Sequence, residues 1–408
     1  MAVLQQILTV LLTAAALALL LPAAFLLLQM LAAWPISAGS EGENALGPIP
    51  SGADRSNFAV LMPAHNESGG VAASIAAVRS QLQPGDRLLV VADNCSDDTA
   101  AVATVAGAEV VERFDSERRG KGYALDFGVR HLAMNAPSLV IIVDADCEVQ
   151  PGALDALARA SAACGRPTQA LYLMRSPPGA PMKTRIAEFA WAVKNHARPL
   201  GSRRLGLPCQ LMGSGMAFPW EQIVGAPLAS GHIVEDLQLG LDLTARGHAP
   251  LFLPSARVIS WFPQTSDGLT AQRTRWEHGY FAVMFAHGPG LMLSALRGRR
   301  MAPILRALDL CVPPLSFLVL AIVGLLVTTT AFFAAGGSIA PLTLSMLAVV
   351  VVALAIGLAW RRFGRAIVSG RELLGVPLYV LQKLPIYLRA LRQRQVEWVR
   401  TRRDDGST

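Results

Sequence analysis

Residues 138–148 read SLVIIVDADCE, an unbroken apolar run that ends on two aspartates flanking a single alanine. The run is short for a helix and suits a strand buried on both faces, as in a parallel sheet. The strand-like run SLVIIVDAD (138–146) ends on both aspartates, and period-two alternation points Asp144 and Asp146 to the same side of the chain. Two carboxylates sharing a strand end repel unless a cation lies between them. Mg²⁺ or Mn²⁺, held by carboxylate and phosphate oxygens, fits that demand. The plainer reading is a polar strand end leading into the helix that begins near Pro151, and an Asp-x-Asp triplet alone does not decide between the two.

Working outward, FAVLM (58–62), RLLVVAD (87–93), EVV (109–111) and QALYLM (169–174) are also strand-like. Between these runs lie GGVAASIAAVRSQL, SDDTAAVATVAG, GKGYALDFGVRHLAM and PGALDALARASAAC, each patterned as a helix. Short strands alternating with longer helices predict βαβ units and an α/β domain on a mostly parallel sheet. Ligands of such sheets bind at the carboxyl ends of the strands. The polar residues fall there: PAHNE after the first strand, DNCSDD after the second, DAD ending the fourth.

Three further groups carry candidate chemistry, each with a plainer alternative. Asp93 leaves its strand into a stretch that also makes an Asx turn and a helix cap through Ser96 or Asp97. Glu235 and Asp236 begin a helix, where negative charge is favourable in any case. QRTRW (272–276) combines two arginines with Trp276, which is either a core aromatic or a platform for a sugar ring; a solvated helix face is the plain reading of the arginines.

The composition belongs partly to lipid. The chain is 52% hydrophobic and only 16% charged, with a net charge of +7. Globular domains carry about 25% charged residues. The basic residues cluster beside apolar stretches without the aromatic pattern of a nucleic-acid module, so anionic headgroups and not nucleic acid account for the charge. The five cysteines have no paired spacing and read as buried thiols, with neither a disulfide frame nor a zinc site. Val3–Leu31, Leu308–Ala335 and Pro341–Trp360 each approach the ~20 residues a spanning helix needs. The first could instead be a signal peptide, but it lacks a leading Lys or Arg and is too long. Arg297, Arg299, Arg300 and Arg306 precede the second span, and Arg361, Arg362 and Arg365 follow the third, around an uncharged connector. The positive-inside rule makes these two spans a hairpin with cytoplasmic ends, which puts the soluble domain in the cytoplasm and Met1 outside. Residues 371–403 mix Leu, Tyr and Trp with many cations and suit a helix lying in the interface, a fourth span being the alternative.

Taken in order, PAHNE, ADNCSDDT, RRGKGYAL, DAD, GSGMAF, ED and QRTRW resemble the family-2 glycosyltransferases of GT-A fold. The resemblance is to the membrane-bound branch that includes cellulose, hyaluronan and poly-N-acetylglucosamine synthases, and it covers roughly residues 57–306. It implies an inverting transfer from a UDP-sugar at the cytoplasmic face of the inner membrane, with Mg²⁺ or Mn²⁺. The acceptor would be a growing polysaccharide or a lipid-linked saccharide. The runner-up is single-sugar transfer to a lipid such as ceramide or polyprenyl phosphate, and a non-catalytic export subunit is a distant third. The same resemblance assigns roles. Asp93 would read the base, and His65 and Glu67 would edge the nucleotide, the family often having Tyr in place of His65. Lys121 would lie near the nucleotide. Asp144 and Asp146 would bind metal and ribose, and Asp236 would be the base. Gln272, Arg275 and Trp276 would contact diphosphate and acceptor. The expected layout is an anchor at 1–34, a linker at 35–56, the GT-A domain at 57–306, a hairpin at 307–360 and a basic tail at 361–408. Polymer synthases form their channel from more helices than this, so either the chain forms a homo-oligomer or recruits an export partner, or it adds one sugar to a lipid-linked acceptor and threads no polymer.

Overall fold

The computed structural model describes residues 2–34, 55–231, 233–263, 266–298, 301–373, 375 and 376. Most of the expected linker and most of the basic tail, with its interfacial helix, lie outside these residues. The fold has two units. One holds residues 2–34, 181–207 and those from 280 onward; the other holds 55–180 and 208–279. The division therefore differs from a continuous domain over 57–306.

The first unit begins with helix α1 (Ala2–Ala33). The second unit carries an eight-stranded sheet, with helices α2 (Val71–Arg79), α3 (Thr99–Val105), α4 (Lys121–Leu132) and α5 (Ala153–Cys164) between its strands. The strands are β1 (Phe58–Ala64), β2 (Arg87–Asp93), β3 (Glu109–Arg113), β4 (Leu139–Ile142), β5 (Glu148–Val149), β6 (Thr168–Arg175), β7 (Met216–Pro219) and β8 (Leu251–Trp261). Their spatial order is β3-β2-β1-β4-β7-β6-β8-β5. The pairs among β3, β2, β1 and β4, and that between β6 and β8, are parallel; β7 runs against both of its neighbours. All of β1 and β4 is buried, which explains why their sequences show no alternation. The core beneath them joins Leu61, Leu89, Val140 and Ile142 to Leu125 and Val129 of α4 and to Phe218 of β7.

One expectation is corrected here. β4 ends at Ile142, so Asp144 and Asp146 do not extend a strand. They lie in the turn that follows, and it is the turn, not pleat alternation, that brings them together. Val143 N–H still bonds the Leu61 carbonyl at 3.2 Å, which ties the start of the turn to β1.

In the first unit, α6 (Met182–Ala192) runs through a π turn at Val193–Ala197 into α7 (Arg198–Arg204). Back in the second unit, the short α8 (Trp220–Ile223) and α9 (Glu235–Ala245) follow β7. Helix α10 (Ser266–Gly298) begins there and ends in the first unit, where α11 (Met301–Cys311), α12 (Leu315–Ala334) and α13 (Ala340–Ala359) follow. Among the described residues, three helices are long and apolar enough to cross a membrane: Ala2–Ala33, Leu315–Ala334 and Ala340–Gly364. The second begins later than Leu308, because Pro313 and Pro314 separate it from α11.

Within that unit Gln29 of α1 is fully buried. Its amide donates to Ser202 Oγ at 2.8 Å and to Asp309 Oδ1 at 2.6 Å, and Asp309 also accepts from Arg198 at 3.0 Å. The polar groups satisfy one another, as burial away from water requires. Alongside them α7 approaches α1 so closely that a Cβ on Gly201 would sit 2.1 Å from the Gln29 carbonyl oxygen. Gly201→Ala is therefore expected to destabilise the helix cluster by about 1–3 kcal/mol or more. A lowered melting temperature of the detergent-purified chain would register it, and an unchanged melt would refute the close packing.

Candidate active site

The carboxyl ends of the parallel strands open on a cavity of about 580 Å³, within the range of small-molecule sites. His65, Glu67, Asp93, Lys121, Asp144, Asp146, Gln272 and Arg275 all line it. Eight of the ten residues assigned roles from sequence thus converge, from segments far apart in the chain. Asp236 and Trp276 are not in its lining. Cys147, which the sequence reading left among structural thiols, lies against its aspartates.

On one wall β1 and β2 end side by side, and their loops are pinned by short polar side chains. His65 Nδ1 lies 2.7 Å from the Asp93 carbonyl oxygen. Asn66, at φ +54°, accepts from Ser96 N–H at 2.7 Å, and Glu67 N–H donates to Thr99 Oγ1 at 2.8 Å. Asp93 is 6% exposed. Its Oδ1 takes Arg113 Nη1 at 2.6 Å and Asn94 Nδ2 at 3.1 Å. Arg113 also donates to Asp115 and to the Arg118 carbonyl, which holds the 114–119 loop so that Arg119 reaches the cavity. Arg113 was missed from sequence: an arginine closing a partly exposed edge strand looks like a solvated charge.

The opposite wall is the turn after β4. Asp144 and Asp146 offer carboxylate oxygens, and Cys147 a sulfur, all within 4.8 Å of one another. Burial, reinforced by Asp144, pushes the Cys147 thiol up to about 12, so it keeps its proton at neutral pH and donates it toward Asp146 Oδ1 at 3.4 Å. The carboxylate oxygens suit a hard divalent cation completed by phosphate oxygens.

Lys121, at the first turn of α4, stands between the walls. Its Nζ is 2.5 Å from Asp144 Oδ1, 3.7 Å from Glu235 Oε1 and 2.7 Å from the Gly213 carbonyl oxygen, to which it donates. Burial works against the charge, but Asp144 and then Glu235 outweigh it and hold the ammonium well above the ordinary lysine range. The next residue, Gly122, has no room for a side chain: a Cβ there would lie 2.5 Å from the Leu228 carbonyl oxygen.

At the start of α9, burial lifts the Glu235 carboxyl to about 7, with Lys121 pulling it down and Asp236 pushing it up. Asp236 Oδ1 accepts from Leu237 N–H at 2.8 Å. A Cβ built on Gly213 would meet Asp236 Oδ2 at 3.4 Å and Lys121 Nζ at 3.6 Å, so this carboxylate faces the same point as the ammonium. Across the cavity Gln272 is only 4% exposed, and its Oε1 has no hydrogen-bond partner among the described residues. Arg275, one turn on, has its pKa lowered by burial, an effect that Glu235 and Asp144 oppose.

A cavity at strand ends with paired carboxylates, a partly buried lysine and an arginine can hold a polyanion through a metal and two or more cations. Comparison with known proteins agrees. Residues 55–279 match the family model described as glycosyltransferase like family 2. The chain belongs to this family, and it is a glycosyltransferase. Uncharacterized glycosyltransferases of Mycobacterium tuberculosis and Mycobacterium bovis are 40% identical to it over 98 residues, which is 24% of this chain and 40% of theirs. The match thus spans less than half the length of these relatives. Among solved structures, the mannosyltransferase PcManGT from Pyrobaculum calidifontis, in complex with GDP-Man and Mn²⁺, aligns at a TM-score of 0.51. The alignment covers 94% of this chain and 100% of that one at 18% identity, a likeness of fold.

Proposed function

We propose that the chain is a membrane-bound transferase that moves a sugar from a UDP-sugar to a growing polysaccharide or lipid-linked acceptor at the cytoplasmic face of the membrane. The observation that carries this reading is the convergence of Asp93, Lys121, Asp144, Asp146 and Arg275 on one cavity. Mg²⁺ or Mn²⁺ held by Asp144 and Asp146 would screen the diphosphate and make it a better leaving group. Asp93 offers a carboxylate to the base, with His65 and Glu67 at the nucleotide's edge. Lys121 and Arg275 supply positive charge where the diphosphate departs. Gln272 Oε1 accepts from a substrate hydroxyl, and Trp276 lies toward the acceptor. Asp236 takes the proton of the acceptor hydroxyl as that oxygen attacks the anomeric carbon, so configuration inverts and an α-linked donor gives a β-linked product. The metal also fits the Mn²⁺ named with PcManGT.

The test is incubation of the purified chain with a panel of UDP-sugars and a candidate acceptor, following UDP release. Release from at least one UDP-sugar, dependent on acceptor, is expected; turnover confined to a GDP-sugar would refute the donor assignment.

The orientation rests on charge. Arg361 and Arg365 lie exposed just past α13, while the residues joining α12 to α13 carry no charge. Arg204 donates to the Ala32 and Trp34 carbonyls at the end of α1, and Arg361 lies 5.8 Å from the Trp34 ring. Cations and tryptophans collected at one end of apolar helices suit the cytoplasmic headgroup layer. Single cysteines placed at 337 and at 390 should react with an impermeant reagent from outside only at 337. Labelling at 390 from outside would reverse the tail and make it a fourth span.

A further inference from the structure

Lys121 does more than line a cavity: it is seated on the metal site's own ligand. Its Nζ lies 2.5 Å from Asp144 Oδ1, closer than to any other carboxylate. The Gly213 carbonyl at 2.7 Å steadies it there, and Glu235 waits at 3.7 Å on the other side. Asp236 Oδ2 approaches the same place from beyond Gly213. Three carboxylates, those of Asp144, Glu235 and Asp236, therefore act on this one ammonium, and Asp146 lies beside Asp144. In the ligand-free protein it is the counter-charge that lets them share a site.

A divalent ion on Asp144 would meet that ammonium head-on. Two cations on one carboxylate repel, and in a partly dehydrated cleft the repulsion is screened less than in water. A nucleoside diphosphate changes the balance, because its phosphate oxygens give both cations a partner. We propose that Lys121 is a resident competitor for the metal's carboxylate, so that Mn²⁺ or Mg²⁺ binds firmly only together with a nucleoside diphosphate, whose phosphate oxygens take over the ammonium released from Asp144. The inference rests on Asp144 and Asp146 as the metal ligands. Its consequence is an order of events: metal alone does not load the site.

The experiment is Mn²⁺ binding to the full-length chain in detergent, read from the electron paramagnetic resonance signal of free Mn²⁺, with and without UDP. Without UDP, Lys121→Gln should bind Mn²⁺ roughly ten- to a hundredfold more tightly than wild type, the equivalent of one charge-assisted contact no longer broken. Lys121→Arg keeps the charge and should stay near wild type. With UDP present, the advantage of Lys121→Gln should shrink or reverse. Lys121→Met, which retains the aliphatic stem, carries the same expectation should the glutamine variant fail to fold. The proposal is overturned if a folded uncharged variant binds Mn²⁺ no more tightly than wild type in the absence of UDP. That is also the outcome if Lys121 serves only as a phosphate ligand. An Asp144→Asn/Asp146→Asn double variant separates the two readings. Mn²⁺ binding like wild type in that variant removes the metal assignment itself, whatever Lys121 does.

Discussion

Asp236→Asn is expected to lower turnover by about 10²–10⁴-fold, the usual contribution of a general base, while UDP binding persists. The substitution preserves shape and leaves an oxygen for the Leu237 N–H that Asp236 Oδ1 now accepts. If Asp236 only finished the first turn of α9, the change would be nearly silent in rate and cost at most about 1 kcal/mol in stability. Rate and stability therefore separate the two roles. Glu235 is the control that matters, because burial lifts its carboxyl to about 7, the behaviour expected of a residue that must collect a proton near neutrality. Its oxygen faces Lys121, however, so we assign it to holding that ammonium and leave the base at Asp236. A larger loss in Glu235→Gln than in Asp236→Asn would transfer the base to Glu235.

Glu235 also makes a prediction about stability. Its folded-state pKa lies above the ordinary value of 4.5, so between 4.5 and about 7 the native chain keeps a proton that the unfolded chain has released. Stability then falls as pH rises through that window and levels off above it. Melting temperatures across pH 4.5–7.5 should show less of this slope in Glu235→Gln. An identical slope in both proteins would mean that the carboxyl is not held in its neutral form.

How far the sequence could be read depended on whether a segment's pattern was local. The strand over 87–93 was legible to the residue, because an apolar run between Gly85 and DNCSDD has clear ends. β7 and β8 were not recognised as strands. Met216–Pro219 is too short to show a period, and Leu251–Trp261 is broken by Pro254 and Arg257, where its pairing with β6 shifts register between Ala170 and Leu171. Asp144 and Asp146 were chosen for the wrong local reason. They meet in a turn, yet they meet, because the constraint is that both must reach one cavity. Arg113 and Cys147 could not be found by pattern. Their part in the site depends on what the fold sets against them, Asp93 in one case and Asp146 in the other. The segment 181–207 read as part of the soluble domain, but its Gly201 and Arg198 answer to α1 and α11, far away in sequence.

Removing the metal should abolish the reaction. Asp144 and Asp146 repel each other in a site that must also take a diphosphate, so without a divalent ion the donor's charge has too few partners. EDTA is expected to stop UDP release, with Mg²⁺ or Mn²⁺ restoring it. The Asp144→Asn/Asp146→Asn double variant should be slower by about a thousandfold or more, the scale of losing a Lewis acid at a leaving group. Cys147 sharpens the test. Its buried thiol donates toward Asp146 Oδ1 at 3.4 Å, and its sulfur lies within 4.8 Å of both carboxylates. Cys147→Ser keeps a donor of similar size and should retain the Mg²⁺- and Mn²⁺-supported rate within about threefold, the effect of exchanging one weak hydrogen bond for another. Were the serine variant to lose metal-supported activity as completely as the aspartate pair, sulfur would have to be counted in the coordination sphere, and a softer ion than Mg²⁺ would become the better fit. Full turnover of the wild-type chain in chelator would instead leave neutralisation of the diphosphate to Lys121, Arg119 and Arg275, the cations that line the same cavity.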